Sequence, residues 1–171
     1  MANPRLVAVK ALMSVNIDEG YSNIVLDKAV KSAELTGADA ALATALFYGV
    51  LDRKLTLDYI IKTASARSGK TPDFVREVLR ISVYQLVYMD KIPTHAAVNE
   101  AVKLIKKSKF GFASGFVNAV LRSVIREAPV LPDDDSVASL CVRYSCNEWI
   151  IERLIADLVF FIAKRILKSA F

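Results

Sequence analysis

The sequence is short of the side chains most used at catalytic and metal centres. His95 is its one histidine, so a single chain cannot build a His-based triad or a His–His metal pair. Cys141 and Cys146 are spaced as CVRYSC, not as the CxxC of zinc and redox sites, and we expect bystander thiols. There is no signal peptide and no apolar run of about 18 residues. These absences predict a cytoplasmic protein without a membrane span and with reduced thiols.

What is present is helical periodicity. The chain is 54% hydrophobic and 24% charged, enough to bury a core. Apolar residues recur at helical spacing, as at Val98, Ala101, Val102 and Ile105, and no strand alternation of useful length occurs. The sequence predicts an all-α fold whose central buried helix is the segment VLRISVYQLVYM, apolar nearly all round. We expect its tyrosines, and Trp149, to pack in the core.

Ala128 to Asp135 reads APVLPDDD, which is typical of a linker ending in a helix cap. It predicts a helical domain over residues 1–128 and a linker with a helical segment over 129–171, beginning with a helix at Ser136. Near the end, Leu158 to Ile162 reads LVFFI. Such a segment is expected to pack against the bundle or against a second copy in a homodimer.

Positive charge is concentrated in one part of the chain. The net charge is +5, and the window from Glu100 to Arg126 carries the same excess. Its cations are Lys103, Lys106, Lys107, Lys109, Arg122 and Arg126. Cations on rigid helices suit a phosphate backbone, so we interpret this surface as RNA-binding, against the alternative of a merely solvated face. Lys10 and Arg5 of the first helix extend it if the fold brings the helices alongside.

Three polar residues beside these cations are predicted to be structural. His95 follows Pro93-Thr94 and is expected to shape the start of a helix, with an RNA or partner contact as the alternative. Asn99 and Asn118 occupy helix interiors, where asparagine is locally unfavourable. We expect their amides to bond between helices or to a loop backbone, although two exposed polar residues would also fit the pattern.

The segments IPTHAAVNEAV (residues 92–102) and GFVNAVLR (residues 115–122) resemble the NusB-type RNA-binding domain that begins Sun/RsmB/Fmu-type ribosomal RNA cytosine-C5 methyltransferases. YGVLDR (48–53) and LRISVYQLVYM (79–89) match in the same order. The resemblance implies a NusB-like helical bundle and an RNA-facing surface that includes a basic residue of the first helix, which Arg5 matches. It also implies S-adenosylmethionine as the cofactor of the full-length family.

The features of the catalytic module are not in this sequence. A methyl donor needs a glycine-rich strand-to-helix turn, and the six glycines form no such cluster. Neither cysteine follows a proline, as the family's catalytic cysteine does, and Asn147 replaces the proline of the family's Ser-x-Pro-x-Trp motif. We expect this chain alone to be inactive and to bind no cofactor, positioning ribosomal RNA for a methyltransferase domain in cis or in trans. The alternative is a free NusB-type antitermination factor that binds RNA and a ribosomal protein.

Overall fold

The computed structural model describes residues 2–18, 22–65, 70–157 and 160–170. In these residues the chain forms ten α-helices, one short 3₁₀ turn and no strand, which confirms the all-α prediction. The helices are α1 (Pro4–Asp18), α2 (Ser22–Ser32), α3 (Gly37–Asp52), α4 (Lys54–Ala64), α5 (Asp73–Tyr88), α6 (Thr94–Lys106), α7 (Ser114–Glu127), α8 (Val137–Tyr144), α9 (Glu148–Asp157) and α10 (Phe160–Ala170). The 3₁₀ turn, Gly111–Ala113, lies between α6 and α7.

Helix α5 is the centre of the bundle. It contacts α1, α3, α4, α6 and α7, and it buries residues on every side, including Val75, Val78, Ile81 and Val83. A helix that is apolar all round needs neighbours all round. The predicted central helix is therefore confirmed.

Helix α3 approaches α5 closely at Gly49. A Cβ atom placed on Gly49 would overlap the ring of Tyr84, so the absence of a side chain on Gly49 lets this ring lie directly against α3. Tyr84 and Tyr88 are half-buried against the main core with ring centroids 5.4 Å apart, as expected. Burial raises the pKa of Tyr88, whose ring lies 5.0 Å from the Arg53 guanidinium carbon.

A buried charged network joins α4 to α5. Arg80, whose side chain is 5% exposed, donates from Nε to Asp58 Oδ1 at 2.7 Å and from Nη2 to Asp58 Oδ2 at 2.6 Å. Its Nη1 donates to Oε1 of Glu77, at 2.5 Å, and Glu77 is 1% exposed. Burial raises the pKa of Glu77 even though the neighbouring Arg80 acts to lower it. Of the three charged side chains in this network, only Asp58 is appreciably exposed to water, at 38%.

The predicted helix start at Ser136 is confirmed. Ser136 Oγ accepts a hydrogen bond from the Ser139 N–H at 3.2 Å, the geometry of an N-cap. Asp134 accepts from the Ser136 N–H at 2.9 Å and from the Ser139 hydroxyl at 2.6 Å. The hydrogen bonds from Ser136 and Ser139 lower the pKa of Asp134 to about 2.

The last three helices have a small core of their own and also rest on the bundle. Their buried residues are Leu140, Tyr144, Cys146, Ile151 and Leu167. Helix α8 packs on α4, where the hydroxyl of Thr56, fully buried, donates to the Val142 carbonyl at 2.6 Å. Two features thus coexist at the predicted boundary: a separate core, and contacts back to the main one. The division at residue 128 stays a prediction.

The expectation that Trp149 is a core residue is wrong, since it is 66% exposed. Ile151 is the residue of α9 that enters the core, and a side chain two positions away on a helix points to another side. In the LVFFI segment, residues 158 and 159 and the side chains of 160 and 161 lie outside the described residues. Ile162 is 49% exposed. None of the described helices is long and apolar enough to cross a membrane.

Candidate nucleic-acid interface

Helices α6 and α7 pack side by side through their apolar faces. Val98, Ala101 and Ile105 of α6 and Val117 and Leu121 of α7 are buried, each at a position that the helical spacing had placed inside. The connection between the helices is short, so the two run in opposite directions. We call α6, α7 and their connection the basic hairpin, because their outer faces carry Lys103, Lys106, Lys107, Lys109, Arg122 and Arg126, all exposed.

A groove of about 460 Å³ lies between the start of α6 and the end of α7. It is lined by Thr94, His95, Val98, Asn99, Arg122, Ile125 and Arg126. The structure therefore brings the single histidine, an asparagine and two arginines to one place, over an apolar floor. His95 is exposed in the first turn of α6, and the residue that caps the helix is Pro93, which has no capping side chain.

Among the described residues, the hydrogen bond found for these asparagines lies within one helix and not between helices. Asn118 Oδ1 accepts from Nε of Arg122 at 3.3 Å, within α7 itself. Asn99 is exposed on the rim of the groove. Water can satisfy the exposed amide of Asn99, and the half-buried Asn118 is bonded within its own helix.

The lysines lie at the opposite end of the hairpin from the groove. Lys103, Lys106 and Lys107 are in or just after the last turn of α6, where cations also complement the negative end of the helix dipole. Lys103 Nζ lies 2.8 Å from Oε1 of Glu100, and that hydrogen bond lowers the pKa of Glu100. Lys109 Nζ lies 5.3 Å from the ring centroid of Phe110.

Arg5 does not join this surface as a free cation. It is half-buried, and its Nε donates to Oε1 of Gln85 at 2.8 Å, tying α1 to α5. Burial lowers the pKa of Arg5, against the opposing influence of Glu100 and Asp39. Asn3 caps the helix by accepting the Arg5 N–H at 2.9 Å. The guanidinium thus has a structural role in the packing of α1.

Lys10 belongs to a different surface. It lines a groove between α1 and α2 together with Ser14, Lys28 and Ser32. The structure does not bring it alongside the basic hairpin, and among the predicted RNA contacts it stands apart.

One exposed residue of the hairpin was missed by the reading of the sequence. Phe112, in the 3₁₀ turn between α6 and α7, is 81% exposed. The available signal was a pair of phenylalanines, Phe110 and Phe112, inside a connection otherwise made of small residues and lysine, KKSKFGFASG (residues 106–115). Helical periodicity says nothing about such a residue, because it lies in neither helix.

The described residues contain no group of three or more His, Cys, Asp or Glu side chains that could hold a metal ion. Cys141 and Cys146 are free thiols. Burial raises the pKa of both, which disfavours the reactive thiolate.

The NusB family model matches residues 2–126. A relative from Bacillus subtilis (strain 168), "Probable ribosomal RNA small subunit methyltransferase B", is 39% identical over 151 residues, covering 86% of this chain and 34% of the relative. "Transcription antitermination protein NusB" of Bacillus velezensis (strain DSM 23117 / BGSC 10A6 / LMG 26770 / FZB42) is 29% identical over 119 residues, covering 68% of this chain and 88% of its own.

A similar fold occurs in a solved structure, "Crystal Structure of PH0851", with a TM-score of 0.73 and 17% identity. The match covers 99% of this chain and 39% of that one. The chain thus spans about a third of the length of the methyltransferases it matches.

Proposed function

Because the chain belongs to the NusB family, we propose that it binds RNA through the basic hairpin and positions ribosomal RNA for a methyltransferase module outside this sequence. S-adenosylmethionine would be the cofactor of that module. The observation that carries the proposal is the set of exposed cations on two helices that pack against each other. This packing fixes the spacing of the cations before any RNA binds.

The charge of the hairpin is little compensated. Lys103 pairs with Glu100, and Arg126 pairs with Glu127. Among the described residues, no carboxylate lies in ion-pair distance of Lys106 or Lys107. Exposed ammonium groups of this kind contribute to RNA affinity by releasing counterions from phosphates, without reading sequence.

The lengths of the two sequence matches favour a role in ribosomal RNA methylation. The Bacillus subtilis methyltransferase aligns over 151 residues, whereas the family model ends at residue 126, so the longer match reaches into the segment of α8 to α10. The antitermination protein aligns over 119 residues. It is nevertheless matched over 88% of its length, which supports free NusB-type antitermination as the second candidate. Binding to ribosomal RNA fragments compared with a BoxA-like RNA separates the two.

The experiment that tests the RNA surface changes Lys106 and Lys107 to Gln. Each cation that neutralises a phosphate contributes about 0.7 to 0.9 to the slope of log affinity against log salt, so the slope should flatten by about 1.5. Affinity for unrelated RNAs should fall by similar factors. The matched control changes Lys62 and Lys168, which are exposed elsewhere, to Gln and should leave the slope close to that of the original protein.

An unchanged slope in a folded Lys106→Gln/Lys107→Gln protein would place the RNA surface elsewhere. The next candidate is the groove of Lys10 and Lys28 between α1 and α2.

The positioning role has its own test. The chain alone, incubated with S-adenosylmethionine and ribosomal RNA, should transfer no methyl group. The separately produced catalytic portion of a full-length relative should transfer methyl groups to the RNA, and its rate of transfer should be higher with this chain present than without it. Transfer by the pure chain would overturn the proposal.

A further inference from the structure

Phe112 stands out from the other phenylalanines of the bundle. Its ring is 81% exposed, whereas phenylalanine is among the residues most often buried. A lone exposed apolar residue needs no explanation, so the case depends on what holds this ring outward and what surrounds it.

The turn that carries Phe112 is fixed on both sides. Phe110, two residues before it, stacks on Phe74 with ring centroids 5.8 Å apart and an angle of 19° between the planes. Ala113, directly after it, is buried, and its N–H donates to the Phe110 carbonyl at 2.8 Å. Ser108 accepts the Phe110 N–H at 3.1 Å. With its neighbours anchored, the Phe112 ring is held in solvent by the backbone.

The surroundings of the ring are cationic and open. Phe112 meets Phe110 edge-on at 6.3 Å between centroids, which supports the ring from the side. Lys109 lies over Phe110, and Lys106 and Lys107 precede the turn. Three residues later, a Cβ atom at Gly115 would meet open space.

We propose that Phe112 is a base-stacking site that makes the basic hairpin select single-stranded RNA over duplex, an inference that rests on the proposed function. An aromatic face beside a positively charged surface is the combination that binds single-stranded nucleic acid, because every unpaired base has a face to stack and its phosphate can reach the cations. A duplex stacks its bases on each other and leaves none for the ring.

The test compares Phe112→Ala, Phe112→Leu and Phe112→Tyr in the full chain. The probes are a single-stranded RNA of mixed sequence, a blunt duplex of the same sequence and a single strand with abasic sites. Binding of each probe is measured by fluorescence anisotropy. From the usual effect of replacing a stacking aromatic residue by alanine, Phe112→Ala should lower the affinity for the single strand by roughly 5- to 150-fold. Phe112→Leu should lose nearly as much, since it keeps apolar area without the ring. Phe112→Tyr should bind as the original protein does, and duplex and abasic affinities should stay unchanged throughout.

The failure of this inference is distinguishable from the failure of the proposed function. If Phe112→Ala binds single strands undiminished while Lys106→Gln/Lys107→Gln weakens them, stacking is refuted and RNA binding by the hairpin stands. An equal loss with duplex, abasic and intact strands would also refute stacking, because the substitution would then act on the turn itself. If neither variant affects any RNA, the proposed function falls with it. Circular dichroism confirms that each variant is folded.

Discussion

The buried network around Arg80 makes a strong prediction about stability. In Arg80→Met, a side chain of similar length replaces a guanidinium that bonds two carboxylates. Asp58 is 38% exposed and can regain water, but Glu77 is 1% exposed and cannot. Breaking a buried ion pair by removing one partner typically costs about 3 to 5 kcal/mol, because the remaining charge loses the partner that offset its burial. We expect a loss in this range, with Glu77 responsible for most of it.

The loss should depend on pH in a defined direction. The pKa of Glu77 is already raised by burial in the original protein, and removing Arg80, which lowers it, raises it further. A carboxyl group whose pKa is higher in the folded state keeps its proton there after the unfolded chain has released it. Stability therefore falls by up to about 1.4 kcal/mol per pH unit until the folded pKa is passed. The gap between Arg80→Met and the original protein should widen as pH rises.

Urea unfolding followed by circular dichroism measures this, at steps upward from about pH 5, where unfolded carboxylates are ionised. The double variant Glu77→Gln/Arg80→Met also removes the buried carboxylate charge and should recover about 2 kcal/mol relative to Arg80→Met. The reasoning is refuted if Arg80→Met costs less than about 1 kcal/mol, if its cost is the same at every pH, or if the double variant is no more stable than the single one.

Three further changes test the packing. Gly49→Ala should cost about 1 to 3 kcal/mol in thermal unfolding, because its methyl group overlaps the Tyr84 ring; a neutral effect would mean that the ring moves freely. Thr56→Val should cost about 1 to 2 kcal/mol, because the Val142 carbonyl loses its donor; no loss would mean that α8 adds little to α4. Ending the chain after Pro132 uncovers the α4 face beneath α8 and should lower stability and promote self-association in sedimentation. If both are unchanged, the last helices serve neither purpose.

Two substitutions serve as matched controls. Gly115→Ala places a methyl group in open space on α7 and should be neutral or slightly stabilising, since alanine favours helices. Thr63→Val removes a hydroxyl bond to the Tyr59 carbonyl at 3.1 Å, near the end of α4 and exposed. Water replaces that bond, so the cost should be small.

Helical periodicity was enough to predict the faces of α6 and α7 and the burial of α5, because these depend on apolar spacing along one helix. The cap at Ser136 could also be predicted, since Asp and Ser before an apolar run satisfy free N–H groups locally. Trp149 could not. Its apolar character suggested burial, but which side of α9 faces inward is decided by the packing around Ile151, and that depends on three helices at once.

The candidate site residues also divide into those whose exposure follows from helical spacing and those whose surroundings do not. Cations at regular spacing on the outer faces of α6 and α7 were predicted to be exposed, and they are. The depth of Asn99 and Asn118 was not predictable, because helical position does not say how closely a neighbouring helix covers a flank. The partner of Arg5 was beyond the sequence as well: Gln85 lies 80 positions away, and nothing local marks it.

The pattern of ion pairing is consistent with the RNA surface that we propose on the basic hairpin. Arg80 is bonded to the carboxylates of Asp58 and Glu77. The Arg5 guanidinium is bonded to Gln85, where α1 packs on α5. Arg153 pairs with Asp157 and Lys31 with Asp27, each within one helix. Arg80, Arg153 and Lys31 are thus paired with carboxylates and add little field to attract a polyanion. In the described part of the chain, Lys106 and Lys107 have no carboxylate in ion-pair range. These two lysines lie at the same end of the basic hairpin as Phe112, so under the proposed function attraction and stacking act at one end of the same element.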